Sequence, residues 1–318
     1  SLSPGDRIGP YILREPIGEG GFAEVFLAEQ QEPVRRRVAL KLLKPGMDSR
    51  EILARFEAER QALALMQHSG IAKIFDAGIS EAGRSWFAME YVPGVPITDY
   101  CDTHRLDLAG RIDLFIEVCG AIAHAHQKGI IHRDLKPSNI LVGLAEGKPL
   151  VKVIDFGVAK ATDRRLTEKT IFTSQGMLIG TPAYMSPEQA EMSGVDIDTR
   201  SDVYSLGAIA YELVTGELPS RMGGPLLDVL DRIAHKEPAR PTSLLRRSAS
   251  RQRDESRQLT SASKDNTVSH RTSPKNMESH SARRSVDADL DAILLKALAK
   301  EPRQRYANAR EMAEDMRR

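Results

Sequence analysis

The stretch His132-Arg133-Asp134-Leu135-Lys136-Pro137-Ser138-Asn139, with Asp155-Phe156-Gly157 following it, decides how this chain is read. Asp134 can accept a proton from an attacking hydroxyl. Lys136, two residues on in an extended loop, reaches the same place and can offset charge on a transferred phosphate. Asn139 supplies a neutral oxygen and Asp155 a carboxylate. Few protein oxygens, completed by phosphates and water, are what Mg²⁺ prefers. The competing reading is a polar surface loop followed by a buried strand and an acidic turn. The order of further motifs along the chain argues against it.

Upstream, Val38-Ala39-Leu40-Lys41 reads as a strand. Leu40 and Leu42 flank Lys41, so the ammonium points to the opposite face from both, toward the Gly-rich segment Gly18-Glu19-Gly20-Gly21-Phe22-Ala23-Glu24-Val25. Glycines let a backbone approach phosphates and offer N–H groups to them. Strands on both sides of that segment argue against a dinucleotide-binding turn, which needs a helix directly after it. Lys41 needs a carboxylate to hold it. Glu59, on the helix that follows, is preferred over Glu57, which lies about 200° away around that helix.

The first 90 residues read as mostly sheet with one helix. Runs 11–13, 24–28, 38–43, 71–75 and 86–89 are β-rich, and 50–66 has helical period. Arg35-Arg36-Arg37 reads as a solvated hairpin tip. From Asp107 the chain is mainly helical, with helices expected over 108–127, 197–215, 287–300 and 307–317. Residues 243–286 hold 14 Ser or Thr, 10 Lys or Arg and 4 Asp or Glu, with few large apolar side chains. Such a composition cannot offset its ordering entropy, so a disordered basic insertion is expected there.

Bulk composition narrows the function classes. The 318 residues are 41% hydrophobic, enough for two lobes with a sizeable core. A formal charge of +1 gives no pull toward nucleic acid or an anionic membrane. Cys101 and Cys119 match no metal-ligand spacing and no disulfide framework, which fits a reducing, cytoplasmic compartment. No signal peptide or membrane-spanning run is seen. The first residue is Ser1 and the last lies in a helical pattern, so a piece of a longer, membrane-anchored protein is expected.

With these motifs in order, the sequence resembles the protein kinase family, and within it the bacterial eukaryotic-like Ser/Thr kinases. The likeness runs from Tyr11 to Arg318 apart from the insertion. It implies a two-lobed α+β fold: a small, mostly antiparallel β lobe over 11–90 with one regulatory helix, a hinge over 90–95, and a larger helical lobe over 96–318. Residues 1–10 would be a flank. ATP and Mg²⁺, with Mn²⁺ as a substitute, are the implied cofactors. The resemblance makes Asp134 the catalytic base, aided by Lys136, and makes Lys41 the α/β-phosphate ligand held by Glu59. Asn139 and Asp155 would hold the metal. Gly18, Gly20 and Val25 would cover the nucleotide, with Ala39 above adenine and Leu141 below. Glu90 and Val92 would offer it backbone groups, and Met89 would guard the back pocket. Ala23 stands where the pattern has a third Gly, which implies a slightly stiffer lid. Ser186-Pro187-Glu188 resembles the A-P-E motif, with Glu188 paired to Arg305. Asp202 would anchor the catalytic loop. Leu63, Ile74, His132 and Phe156 resemble the apolar column joining the lobes.

Lys136 and Thr181 match the Ser/Thr branch, so protein hydroxyls are the expected substrates, reached in part by self-association for trans-autophosphorylation. Ser138 stands where arginine-preferring kinases often carry an acid, so no strong need for an Arg two residues before the target is expected. Arg133 beside Asp134 calls for an anion, and a phosphorylated hydroxyl of the activation segment would supply it. Thr173 and Ser174 are favoured, with Thr170 a further candidate. The alternative function is a catalytically weak pseudokinase scaffold. Against it, Lys41, Glu59, Asp134, Asn139 and Asp155 are all present. A small-molecule phosphotransferase would lack the Ser186-Pro187-Glu188 segment and its arginine.

Overall fold

The computed structural model describes residues 2–20, 23–47, 49–156, 182–191, 197–246 and 279–318. Among these, the first 90 residues carry a six-stranded antiparallel sheet in the order β1-β2-β3-β4-β6-β5. Its strands are β1 (Arg7–Ile8), β2 (Tyr11–Glu19), β3 (Ala23–Gln30), β4 (Arg36–Leu43), β5 (Ile74–Ile79) and β6 (Ser85–Glu90). Helix α1 (Arg50–Ala64) crosses between β4 and β5, and the Ser49 hydroxyl caps it by accepting from the Ile52 N–H.

The sheet buries both faces. One face packs Tyr11, Leu13, Phe26, Val38, Leu40, Leu42 and Trp86, with Ile8 of β1 closing over them. The other packs Ala39, Leu43 and Phe87 against Phe56 and Leu63 of α1, continuous with the core of the second lobe. Alternation along β4 therefore sends Leu40 and Leu42 outward to the first cluster and Lys41 inward toward α1. Gly78 is needed where β5 passes the indole, since a Cβ there would stand 2.7 Å from Trp86 Cζ2.

The second lobe begins with β7 (Gly94–Pro96), α2 (Ile97–Thr103) and α3 (Leu108–Gln127). Strands β8 (Ile140–Ala145) and β9 (Lys148–Val153) join β7 in a three-stranded sheet under the hinge. Helices α4 (Pro187–Ala190), α5 (Thr199–Thr215), α6 (Leu226–His235), α7 (241–246), α8 (Ser279–Ala297) and α9 (Ala309–Met316) complete it. Asp107 caps α3, Asp198 caps α5 and Asn308 caps α9, each accepting from a backbone N–H of the first turn. Gly216 ends α5 in the left-handed conformation at φ 72°. No described helix is long and apolar enough to cross a membrane.

Several expectations need correction. Within the flank before residue 11, Arg7 and Ile8 join the sheet: Arg7 pairs with Ile12, and Ile8 is buried. The strand expected at 71–75 runs instead over 74–79, and Ile71 makes only an isolated parallel bridge to Val153. Arg36 is not at a solvated tip. It begins β4, stacks 3.9 Å above the Phe75 ring and donates to Gln30 Oε1. Of the insertion expected over 243–286, residues 247–278 lie outside the described residues; before them α7 reaches residue 246, and after them α8 starts at Ser279 rather than at 287. Thr242 donates through its N–H and hydroxyl to the two oxygens of Asp291, tying α7 to α8. Helices α2 and α6 and the β8–β9 hairpin were not foreseen.

Candidate active site

Strand β4 delivers Lys41 and β9 runs on into Asp155, and the two meet α1 in one place. Lys41 Nζ lies 2.6 Å from Glu59 Oε1 and 2.9 Å from Asp155 Oδ1. Glu59 is buried, whereas Glu57 is exposed and pairs with Arg60 along the helix. Burial alone would lower the Lys41 ammonium, but Asp155 and Glu59 push it well above its ordinary value, so it stays charged. Burial pushes the Glu59 carboxyl up, against the pull of Lys41. Burial would also raise the Asp155 carboxyl, yet the Lys41 charge and hydrogen bond hold it below its ordinary value, with help from Lys136. Asp155 is therefore an anion at neutral pH.

The loop from His132 to Asn139 is held from below by one carboxylate. Asp202, fully buried near the start of α5, accepts from the His132 N–H and from His126 Nε2 at its Oδ2, and from the Arg133 N–H at its Oδ1, each at 2.8 Å. Arg133 and Asp155 adopt positive φ angles, 66° and 53°. That region is costly for residues with a side chain and persists only where surroundings hold it. The Arg133 carbonyl accepts from Gln189 Nε2 at 3.0 Å, which adds such a restraint. His132 is fully buried and its ring lies 4.5 Å from that of Phe156. Its Nδ1 accepts from the Asp134 N–H at 3.3 Å, so its Nε2 carries the proton donated to the Ile154 carbonyl at 3.1 Å. Burial pushes the imidazole pKa down and keeps the ring neutral.

Lys136 Nζ lies 2.9 Å from Asp134 Oδ2. The Asn139 amide donates to the Asp134 carbonyl at 2.9 Å, which leaves Asn139 Oδ1 to accept or to ligate. That oxygen and the ionised Asp155 carboxylate form a hard-oxygen donor set, which fits a hard divalent cation.

Around the hinge, Ala39 is buried, Leu141 is partly exposed opposite Pro96, and Val25 pairs with Lys41 across β3 and β4. The Glu90 N–H is taken by the Lys73 carbonyl at 2.7 Å, so the carbonyl is what Glu90 has left to offer a ligand. The Val92 carbonyl accepts from the Gly94 N–H at 2.9 Å, so its N–H is what Val92 has to offer a ligand. Gly18 and Gly20 end the β2 side of the turn, and Gly20 N–H donates to the Ala23 carbonyl.

Farther off, Arg305 and Glu188 form a two-pronged buried pair, both contacts 2.8 Å, although 117 residues separate them. Ser201 also donates to Glu188, and Arg305 donates to the carbonyls of Ala299, Lys300 and Arg200. Phe156 and Leu63 share the main core with partly buried Ile74, and the His132 ring lies against Phe156. Thr170, Thr173, Ser174 and Thr181 lie outside the described residues.

Sequence reasoning missed His126, Gln189, Ser201 and Lys152, all of which hold site elements. His126 had one visible signal, a histidine in the last turn of an apolar helix just before the loop. Lys152 had another, a lysine between two valines in a strand, the same alternation that located Lys41.

A model of the protein kinase domain matches residues 11–315. The chain is 34% identical over 308 residues to a serine/threonine-protein kinase Pkn1 of Myxococcus xanthus, covering 96% of this chain and 37% of that protein. It is 34% identical over 311 residues to a serine/threonine-protein kinase PknB of Mycobacterium leprae, covering 96% and 42%. The chain thus spans about two fifths of the length of these relatives. The crystal structure of the Mycobacterium tuberculosis PknI kinase domain aligns over 100% of this chain and 99% of that one, with a TM-score of 0.62 at 26% identity.

Proposed function

Because the chain belongs to the protein kinase family, with the ATP and divalent metal use that membership implies, we propose that it phosphorylates Ser and Thr hydroxyls of proteins. The observation that carries this reading is the three-way contact of Lys41 with Glu59 and Asp155, set beside an intact Asp134, Lys136 and Asn139. A scaffold without activity would have no need to bury a lysine between two carboxylates.

Each residue then has a role. Asp134 orients the substrate hydroxyl and takes its proton, and Lys136 steadies that carboxylate and offsets charge near the transferred group. Lys41 holds the α- and β-phosphates, and Glu59 holds Lys41 in place. Asn139 and Asp155 would ligate the metal, which we take to be Mg²⁺. Bound there, it would supply positive charge to the phosphate oxygens. With little covalent chemistry left to the protein, positioning and charge placement carry the rate.

The test is transfer from labelled ATP with Mg²⁺ to a generic basic protein, compared with Asp134→Asn. Loss of a general base costs about 10²–10⁴-fold. No transfer by the unmutated protein, once phosphorylated, would favour the scaffold.

Control by phosphorylation is a second element of this reading. Arg133 Nε is buried with no hydrogen-bond partner among the described residues, and burial lowers the guanidinium pKa. Phosphothreonine or phosphoserine at 173, 174 or 170 would complete it, reached by self-association of two copies in the cytoplasm. Full activity with residues 162–176 unmodified by mass spectrometry would rule this out.

A further inference from the structure

Behind the hinge, two chain segments converge on the carboxylate of Glu90. Its Oε2 accepts from the Lys73 N–H at 3.2 Å and from Lys152 Nζ at 2.8 Å, while its own N–H binds the Lys73 carbonyl. Lys152 is only 5% exposed. It stands in β9 directly opposite Leu141, the floor of the nucleotide site, and three residues before Asp155. The same strand grips the segment after α1: Val153 N–H donates to Gly70 O at 2.8 Å, and Ala72 N–H to Val153 O at 3.1 Å. A buried ammonium with one carboxylate partner among the described residues is costly unless the geometry is good, and such pairs are weak contributors to stability. The placement points to a role other than holding the lobe together.

We propose that Lys152, acting through the Glu90 side chain, is a positioning residue for the adenine half of the nucleotide. The pair sets the height of the Glu90 carbonyl above Leu141 by clamping the end of β6 to β9. This rests on the kinase reading above. Nothing in the sequence motifs assigns Lys152 a role, and Glu90 entered only for its backbone. The clamp acts on the hinge and not on the metal oxygens, so it divides binding of the base from use of the metal.

The variants are Lys152→Met, Glu90→Gln, the double variant and Lys152→Arg, assayed for ATP turnover, for ADP and adenosine binding by calorimetry, and for thermal unfolding. Lys152→Met is expected to raise KM for ATP about tenfold while kcat stays within about threefold, the signature of lost uniform binding. ADP and adenosine should weaken by the same factor, and the Mg²⁺ concentration giving half-maximal rate should not move. The double variant should bind no worse than Lys152→Met, because coupled partners are not additive. Lys152→Arg should recover part of the affinity. A KM within twofold of the parent alongside a lowered Tm would overturn the proposal and leave Lys152 as plain structure, and so would additive effects. Should Lys152→Met fail to fold, ADP binding by Glu90→Gln decides: weaker binding supports the clamp, unchanged binding overturns it. A parent that binds ADP but transfers no phosphate would sink the kinase reading while leaving the clamp measurable. A parent that turns over, with variants indistinguishable from it, would sink the clamp alone.

Discussion

Replacing Asp202 by Asn keeps the shape of the side chain and changes what it can accept. The carboxylate takes three donors, two at Oδ2 and one at Oδ1. An amide has one acceptor oxygen and one NH₂ group. If the amide oxygen takes the Oδ2 place, its NH₂ faces the Arg133 N–H, donor against donor. In the other orientation the His132 N–H and His126 lose their acceptor. A hydrogen bond to a charged acceptor contributes about 1.5–3 kcal/mol, so losing at least one beside an unfavourable facing pair costs about 3 kcal/mol. At about 2.1 cal/mol/K of unfolding entropy per residue, that lowers Tm of a chain of this size by about 4–5 °C. Arg133, at φ 66°, then relaxes because its restraint is weakened, and the loop carrying Asp134 shifts with it. A misplacement costing about 1.4–2.8 kcal/mol in the barrier lowers kcat about ten- to a hundredfold. The assays are steady-state transfer from ATP and thermal unfolding by circular dichroism. A kcat within twofold of the parent, with Tm unmoved, would refute the reasoning that Asp202 sets the loop.

Lys41→Met leaves Glu59 buried without its partner and should cut kcat by roughly three orders of magnitude, as removal of a phosphate-positioning charge does; Glu57→Ala on the same helix should change neither kcat nor Tm measurably. Arg305→Ala strands the Glu188 carboxylate in the core and should cost about 3–5 kcal/mol, read by urea unfolding at neutral pH. Burial opposes ionisation of Glu188, but Arg305 and Ser201 hold its pKa below the ordinary value. The folded value is thus below the unfolded one of about 4.3, so the stability from this pair is complete at neutral pH and fades as pH falls through the folded value. The parent should therefore lose more stability between pH 5 and pH 3 than Glu188→Gln does, and equal losses would show that another carboxylate governs that range. Gly207→Ala places a Cβ 2.8 Å from that of Ala297, where α5 meets α8, and should cost about 1–3 kcal/mol by differential scanning calorimetry.

What could be read from the sequence was set by local rules. Lys41 faces inward because period-2 alternation places it opposite Leu40 and Leu42, and Glu59 was chosen over Glu57 by helical angle alone. Both choices match the geometry. The catalytic loop was visible because its residues are adjacent in the chain. Contacts that close over long separations were legible only through the resemblance, as with Glu188 and Arg305. Others stayed hidden because nothing local marks them. His126 reaches Asp202 across 76 residues, and Lys152 reaches Glu90 across 62. The two-residue strand β1 is too short for any period to register. The start of α8 was misplaced because its first residues are Ser- and Arg-rich, a composition that signals disorder when no apolar face is present.

The long reach between Glu188 and Arg305 also bears on the order in which this chain can become itself. Chains emerge from the ribosome at about 5–20 residues per second, so roughly 6–23 s separate the appearance of these partners. In that interval the Glu188 carboxylate has no guanidinium to receive it, and α9, whose Met312 and Met316 pack into the main core, has not been made. The catalytic loop is synthesised well before the element that lets its lobe close. Folding of that lobe therefore waits until Arg305 and α9 have been made, and the catalytic loop stays without its full support until then.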